Sequence, residues 1–175
     1  MGNIKILKLE GETSKEGHDM RIVEEPKIVG DFGEFVTAYY LTKLGINVLR
    51  ADTVCFDLFA TDSRGVVFPK KATCGISVKI RDRSNTTPAC TIVRKDFPKI
   101  KSHAKKWQID PWICHLIVSK RENQKILEGF LLPVSEAQKY FAEGKRQFAI
   151  SFSKLRKEIN GKFAGTKRYF KWVLD

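Results

Sequence analysis

Three charged side chains stand in stretches that are otherwise apolar. Between Phe32 and Val48 the only charges are Glu34 and Lys43, Asp57 interrupts the run from Val54 to Ala60, and Lys79 sits inside Ile76–Ile80. Two carboxylates can hold a divalent cation, and an ammonium beside them can steady a nucleophile or an anionic oxygen. Glu34, Asp57 and Lys79 on neighbouring buried elements therefore suit a metal site that cuts phosphodiesters.

The elements that must carry these residues follow from pattern. Asp31 reads as a helix N-cap with Glu34 completing a capping box three residues on, and Gly45 as a left-handed stop. Phe32, Phe35, Val36, Tyr39, Tyr40, Leu41 and Leu44 recur at helical spacing around most of the circumference, which predicts packing on more than one side. Glu34 then needs a partner, either a functional one or the amides and dipole of its own helix start. Ile46–Leu49 and Val54–Ala60 are short apolar runs that read as strands. An aspartate in the second is costly unless a metal, a lysine or backbone amides receive it; a structural salt bridge is the plainer alternative. In Ile76–Ile80 a period of two puts Ser77 and Lys79 on one face, where a lysine can also simply be solvated.

Taken in order, a helix with Glu34, a strand with Asp57 and a strand with Ser77-x-Lys79 resemble the PD-(D/E)XK nuclease superfamily, in particular its restriction-endonuclease-like and Holliday-junction-resolvase-like members. The resemblance covers the first half of the chain by motif and the second half only by its pattern of elements. It implies an α/β fold with an αβββαβ core, a central mixed sheet flanked by helices, and added C-terminal strands and a helix. It also implies that Glu34 and Asp57 ligate Mg²⁺ (or Mn²⁺), that position 77 completes the site and that Lys79 orients or activates water, so the catalytic set is Glu34, Asp57, Ser77 and Lys79. Ser77 departs from the family pattern, which has an acid there. A serine can hold a metal-bound water but supplies no charge. Three readings stay open: a weaker site, an acid brought from elsewhere such as Asp52 or Asp82, or a nuclease fold kept as a binding module.

Composition sets the rest. At 175 residues and 42% hydrophobic the chain can bury one good core. We read residues 1–175 as a single nuclease-like domain, with 1–28 an N-terminal extension, 29–118 the core and 119–175 the C-terminal strands and helix. Lys5, Lys8 and Glu10 interrupt any signal-peptide core and no run reaches membrane-spanning length, so the expected location is cytoplasmic, without a membrane. Cys55, Cys74, Cys90 and Cys114 are widely spaced and read as reduced core thiols.

A net charge of +12 and a pI near 9.6 point to a polyanionic partner, for which DNA is the leading expectation. Arg81, Arg83, Arg94, Lys95, Lys101 and Lys105 follow on the Lys79 strand and are the expected phosphate contacts; Lys101 and Lys105, with Lys99 and Lys106, lie on a helix opened by Pro98 in which Phe97, Ile100, Ala104 and Trp107 follow helical spacing as a core stripe. Trp112–Val118 and Ile126–Val134 read as strands, Ser135 as the cap of a helix through Glu143, Phe148–Phe152 as a short strand and Ser153–Ile159 as a final helical turn or two. In Lys167–Leu174 the aromatics either stack on bases or pack a strand face. The leading expectation is a metal-dependent DNA endonuclease acting on duplex or branched DNA; the alternatives are a catalytically weak or inactive nuclease-fold module that binds nucleic acid, and a scaffold unrelated to it. A homodimer is expected by analogy with resolvase-like relatives.

Overall fold

The computed structural model describes residues 25–51, 53–82, 90–93, 96–121, 124–143, 147–150 and 152–174. Its elements run α1 (Glu25–Lys43), β1 (Asn47–Arg50), β2 (Leu58–Thr61), β3 (Thr73–Asp82), β4 (Cys90–Val93), α2 (Asp96–Trp107), β5 (Asp110–Arg121), β6 (Gln124–Pro133), α3 (Val134–Ala137), β7 (Phe141–Glu143), β8 (Gln147–Ile150), α4 (Phe152–Lys157) and β9 (Tyr169–Leu174). The fold is mixed α/β. Six strands form one sheet in the order β1-β2-β3-β5-β6-β9, and β4-β8-β7 form a second, smaller one. Only β3 and β5 pair in parallel, joined by the crossover that contains α2; the other pairs in the large sheet are antiparallel.

Two cores lie on the two faces of the large sheet. On one, Val36 and Leu41 of α1 pack with Ile76, Val78, Cys114, Leu116 and Leu127. On the other, Phe97, Ile100 and Ala104 of α2 pack with Phe56, Ile113, Ile117 and Phe130. The alternation expected within Ile76–Ile80 is thus realised: Ile76 and Val78 face α1, while Ser77 and Lys79 look toward α2.

Several expectations need correction. Helix α1 starts at Glu25, inside the segment read as an extension, so Asp31 is a mid-helix residue and not a cap. Pro26 in its first turn costs no intrahelical hydrogen bond and helps set that earlier start. The helix is packed on one side only, since Phe32, Phe35 and Tyr39 are exposed. Its end is as read. Gly45 has φ 72°, and the N–H groups of Gly45 and Ile46 donate to Thr42 O and Leu41 O, a Schellman stop. The strand read over Val54–Ala60 is shortened to Leu58–Thr61, leaving Asp57 just before it. Helix α2 opens at Asp96, two residues before Pro98. The helix expected from Ser135 to Glu143 ends at Ala137, passes through a 3₁₀ turn and becomes β7, because Phe141–Glu143 pair with β8. The added C-terminal strands β6 and β9 extend the main sheet, and Phe170 is buried in the α1-side core with Trp172 and Leu174 packed against it. Those aromatics are therefore core side chains, not a base-stacking surface. Among the described residues no helix is long and apolar enough to cross a membrane.

Candidate active site

Asp57 is held from three directions by the start of β2. Its N–H donates to Ile76 O and its carbonyl accepts from Ala51 N, which continues the β1-β2-β3 ladder one residue past the strand. Beyond that point its side chain takes over from the backbone. Oδ2 accepts from Val78 N at 2.6 Å and, at the long limit, from Ser77 Oγ at 3.5 Å. A carboxylate in this position is not an error in a strand: it satisfies an amide that β2 no longer reaches. Both bonds fall on Oδ2.

Asp57 is also the wall shared by two openings. One is a cleft of about 140 Å³ on the α2 face, lined by Asp57, Ser77 and Lys79 together with Cys55, Asp96 and Lys99. The other, of about 370 Å³, opens at the strand ends toward α1 and is lined by Lys27, Asp31, Glu34, Arg50, Ala51 and Asp57. The structure thus brings Asp57, Ser77 and Lys79 to one cleft and Glu34 to the adjoining one. Glu34 has a partner that the sequence reading did not find. Arg50, at the end of β1, donates to Glu34 Oε2 at 2.8 Å and reaches Asp31 Oδ1 at 3.3 Å. The hydrogen bond and charge of Glu34, and then those of Asp31, hold the Arg50 guanidinium above its usual range. This replaces the capping-box explanation of Glu34.

Ser77 is 3% exposed, directly opposite Ile113 on β5. Asp96 was not singled out by sequence, and Lys99 only as one of the lysines on the helix opened by Pro98. Burial pushes the Cys55 thiol up, Lys99 and Lys79 pull it down, and Asp96 and Asp57 push it up, so these four charges act on one place. Burial also pushes the thiols of Cys74 and Cys114 up to about 12. With Cys55 these are free and buried, as expected of core cysteines.

The expected phosphate contacts divide. Arg81 is exposed on β3, two residues beyond Lys79, and Lys101 and Lys105 are exposed on α2. Lys101 lines a separate cavity of about 540 Å³ with Trp112 and Arg168; Lys99 is the α2 lysine in the cleft. Arg83, Arg94 and Lys95 lie outside the described residues, as do Asp52, residues 84–88 and the first 24 residues. The side chain of Asp82, the other acid considered, is outside them too.

Among the described residues no three His, Cys, Asp or Glu side chains form a ready-made cation cage. Magnesium does not demand one: it takes one or two carboxylates and completes its shell with water and substrate phosphate. Glu34 and Asp57 line one opening and are the two carboxylates from which such a shell would have to be built.

No family model and no curated protein matches the chain. Among solved structures it is similar to Hjc, a Holliday junction resolvase of Archaeoglobus fulgidus, at 16% identity and TM-score 0.47 over 71% of this chain and 84% of that one. It is also similar to a bacterial homing endonuclease, at 16% identity and TM-score 0.35 over 79% of this chain and 97% of that one. Both likenesses are distant.

Proposed function

We propose that this chain is a divalent-metal-dependent DNA endonuclease acting on duplex or branched DNA. The observation that carries the reading is the shared wall: Asp57 lines one cleft with Ser77 and Lys79 and the adjoining one with Glu34. Glu34 and Asp57 would hold Mg²⁺ or Mn²⁺, which would acidify a water and offset charge at the phosphate. Val78 N–H and Ser77 Oγ fix the orientation of Asp57. Lys79 donates a hydrogen bond to the attacking water or a non-bridging oxygen, and Lys99 adds a second positive charge at the same cleft.

A second reading, a nucleic-acid-binding module without cleavage, is favoured by the ion pair that occupies Glu34 and by the missing charge at position 77. Cutting assays on duplex and branched DNA decide between them. Activity should be weak in Mg²⁺ and stronger in Mn²⁺, which binds a given donor set more tightly than the harder ion. Asp57→Asn keeps an acceptor for Val78 and should lower the cleavage rate by about a hundredfold or more while leaving salt-dependent binding intact. Ser77→Glu should raise metal affinity. If the wild type cuts nothing with either ion and Ser77→Glu restores nothing, the enzyme reading falls and the module stands.

A further inference from the structure

Among the described residues Arg50 is the cation that spans two of the three carboxylates lining the Glu34 cleft. Its side chain is 59% exposed, that of Asp31 53% and that of Glu34 22%. An ion pair this open to solvent is weak and screened by salt, so it does little to hold β1 against α1. It does, however, occupy Glu34. A carboxylate paired with a guanidinium is a poor ligand for a divalent ion, because the two cations repel across it. The guanidinium fork matches a phosphate as well as it matches a carboxylate. Arg50 and Asp57 line the same cleft, so a phosphodiester bound there would meet the guanidinium as well as the carboxylate.

We infer that Arg50 is a substrate-released latch: it neutralises Glu34 and Asp31 in the free protein, and an incoming DNA phosphate draws its guanidinium away and opens Glu34 to the metal. The inference rests on the nuclease reading and adds an order of events to it. Metal and Arg50 compete for Glu34 in the absence of DNA and act together in its presence. Arg50 is then a positioning residue that acts through Glu34. It would also keep the free protein from assembling a complete metal site where no substrate is bound.

Mn²⁺ alone is the probe, its binding measured by the spin-resonance signal of the free ion, without nucleic acid. Arg50→Gln should bind Mn²⁺ about two- to fivefold more tightly than wild type, the range set by an exposed ion pair. The same variant should bind DNA in chelator more weakly, with the slope of log K against log salt reduced by about 0.9. Unchanged or weaker Mn²⁺ binding by Arg50→Gln overturns the latch. Glu34→Gln separates the two levels of the claim. If Glu34→Gln added to Arg50→Gln weakens Mn²⁺ binding relative to Arg50→Gln alone, while Arg50→Gln itself binds no more tightly than wild type, the latch alone is wrong; if Glu34→Gln added to Arg50→Gln leaves Mn²⁺ binding untouched, Glu34 is not a ligand and the metal reading falls with the latch. Thermal melts of the variants matching wild type exclude misfolding as the cause.

Discussion

Asp62, just past β2, shows how this chain disposes of a buried carboxylate. It is 1% exposed and accepts from Val67 N at 2.7 Å, Gly65 N at 2.8 Å, Arg64 N at 3.0 Å and Phe68 N at 3.2 Å. Burial alone would raise its pKa, but the four amides outweigh that and hold it below the ordinary carboxylate range. Its folded-state pKa is thus depressed. The stability it contributes is fully present above the unfolded value of about 3.9 and is lost as pH falls through the folded one. Asp62→Asn should therefore cost about 1–3 kcal/mol at neutral pH, shrinking in acid until the variant and wild type unfold alike; denaturant melts at pH 7 and near pH 3 measure it. Asp57 uses the same device on a smaller scale, with one amide instead of four. The sequence showed Asp57 because it interrupts an apolar run. Asp62 gave no such signal, since an acid between Thr61 and Ser63 resembles any loop residue.

Helix α1 must lie close enough to the sheet for Glu34 to reach the strand ends, and Gly33 sets that approach. A Cβ on Gly33 would stand 3.0 Å from Ile80 Cγ2 and 3.4 Å from Leu116 Cδ1. Gly33→Ala sets a helix-propensity gain of about 1 kcal/mol against an overpacking cost of about 1–3 kcal/mol, for a net loss of no more than about 2 kcal/mol, and, where it lifts the neighbouring Glu34, should weaken Mn²⁺ binding more than DNA binding; a thermal melt and the metal titration check the two effects. The strands were legible because alternation and apolar runs are local properties, and so was the Gly45 stop. The start of α1 was not, because Asp31 and Glu34 satisfy a capping pattern that is also an ordinary pair of acids on one turn of a helix. The Arg50 partner was hidden for another reason. It approaches from a strand 16 residues away, and nothing near Glu34 in sequence marks it. The short helix that gives way to β7 was misread because local propensity favours a helix there, while pairing with β8 decides the outcome.

Across the whole molecule a charge of +12 meets a sheet whose Lys79 and Arg81 lie on one strand, β3, with Lys99 beside Lys79 in the cleft. Binding to DNA without metal should fall linearly in log K against log salt, and Arg81→Ala should shallow that line by about 0.9, one phosphate's share. Loss of affinity with no change in slope would place Arg81 away from the backbone. The six-stranded order was legible only in part, because β6 and β9 join the main sheet through pairings that local pattern does not encode. One of those pairings bears on how the protein is made. Tyr40 of α1 stacks on Phe170 at 4.0 Å, Tyr39 and Tyr40 meet Trp172 edge-on, and Tyr40 Oη donates to Lys167 O, 127 residues further along the chain. Contacts of such long sequence separation can form only once both segments of the chain exist. While the polypeptide is still emerging from the ribosome, the helix that presents Glu34 lacks the strand that seats its aromatic side chains. Until β9 is synthesised, the helix that carries Glu34 therefore lacks the ring on which Tyr40 stacks.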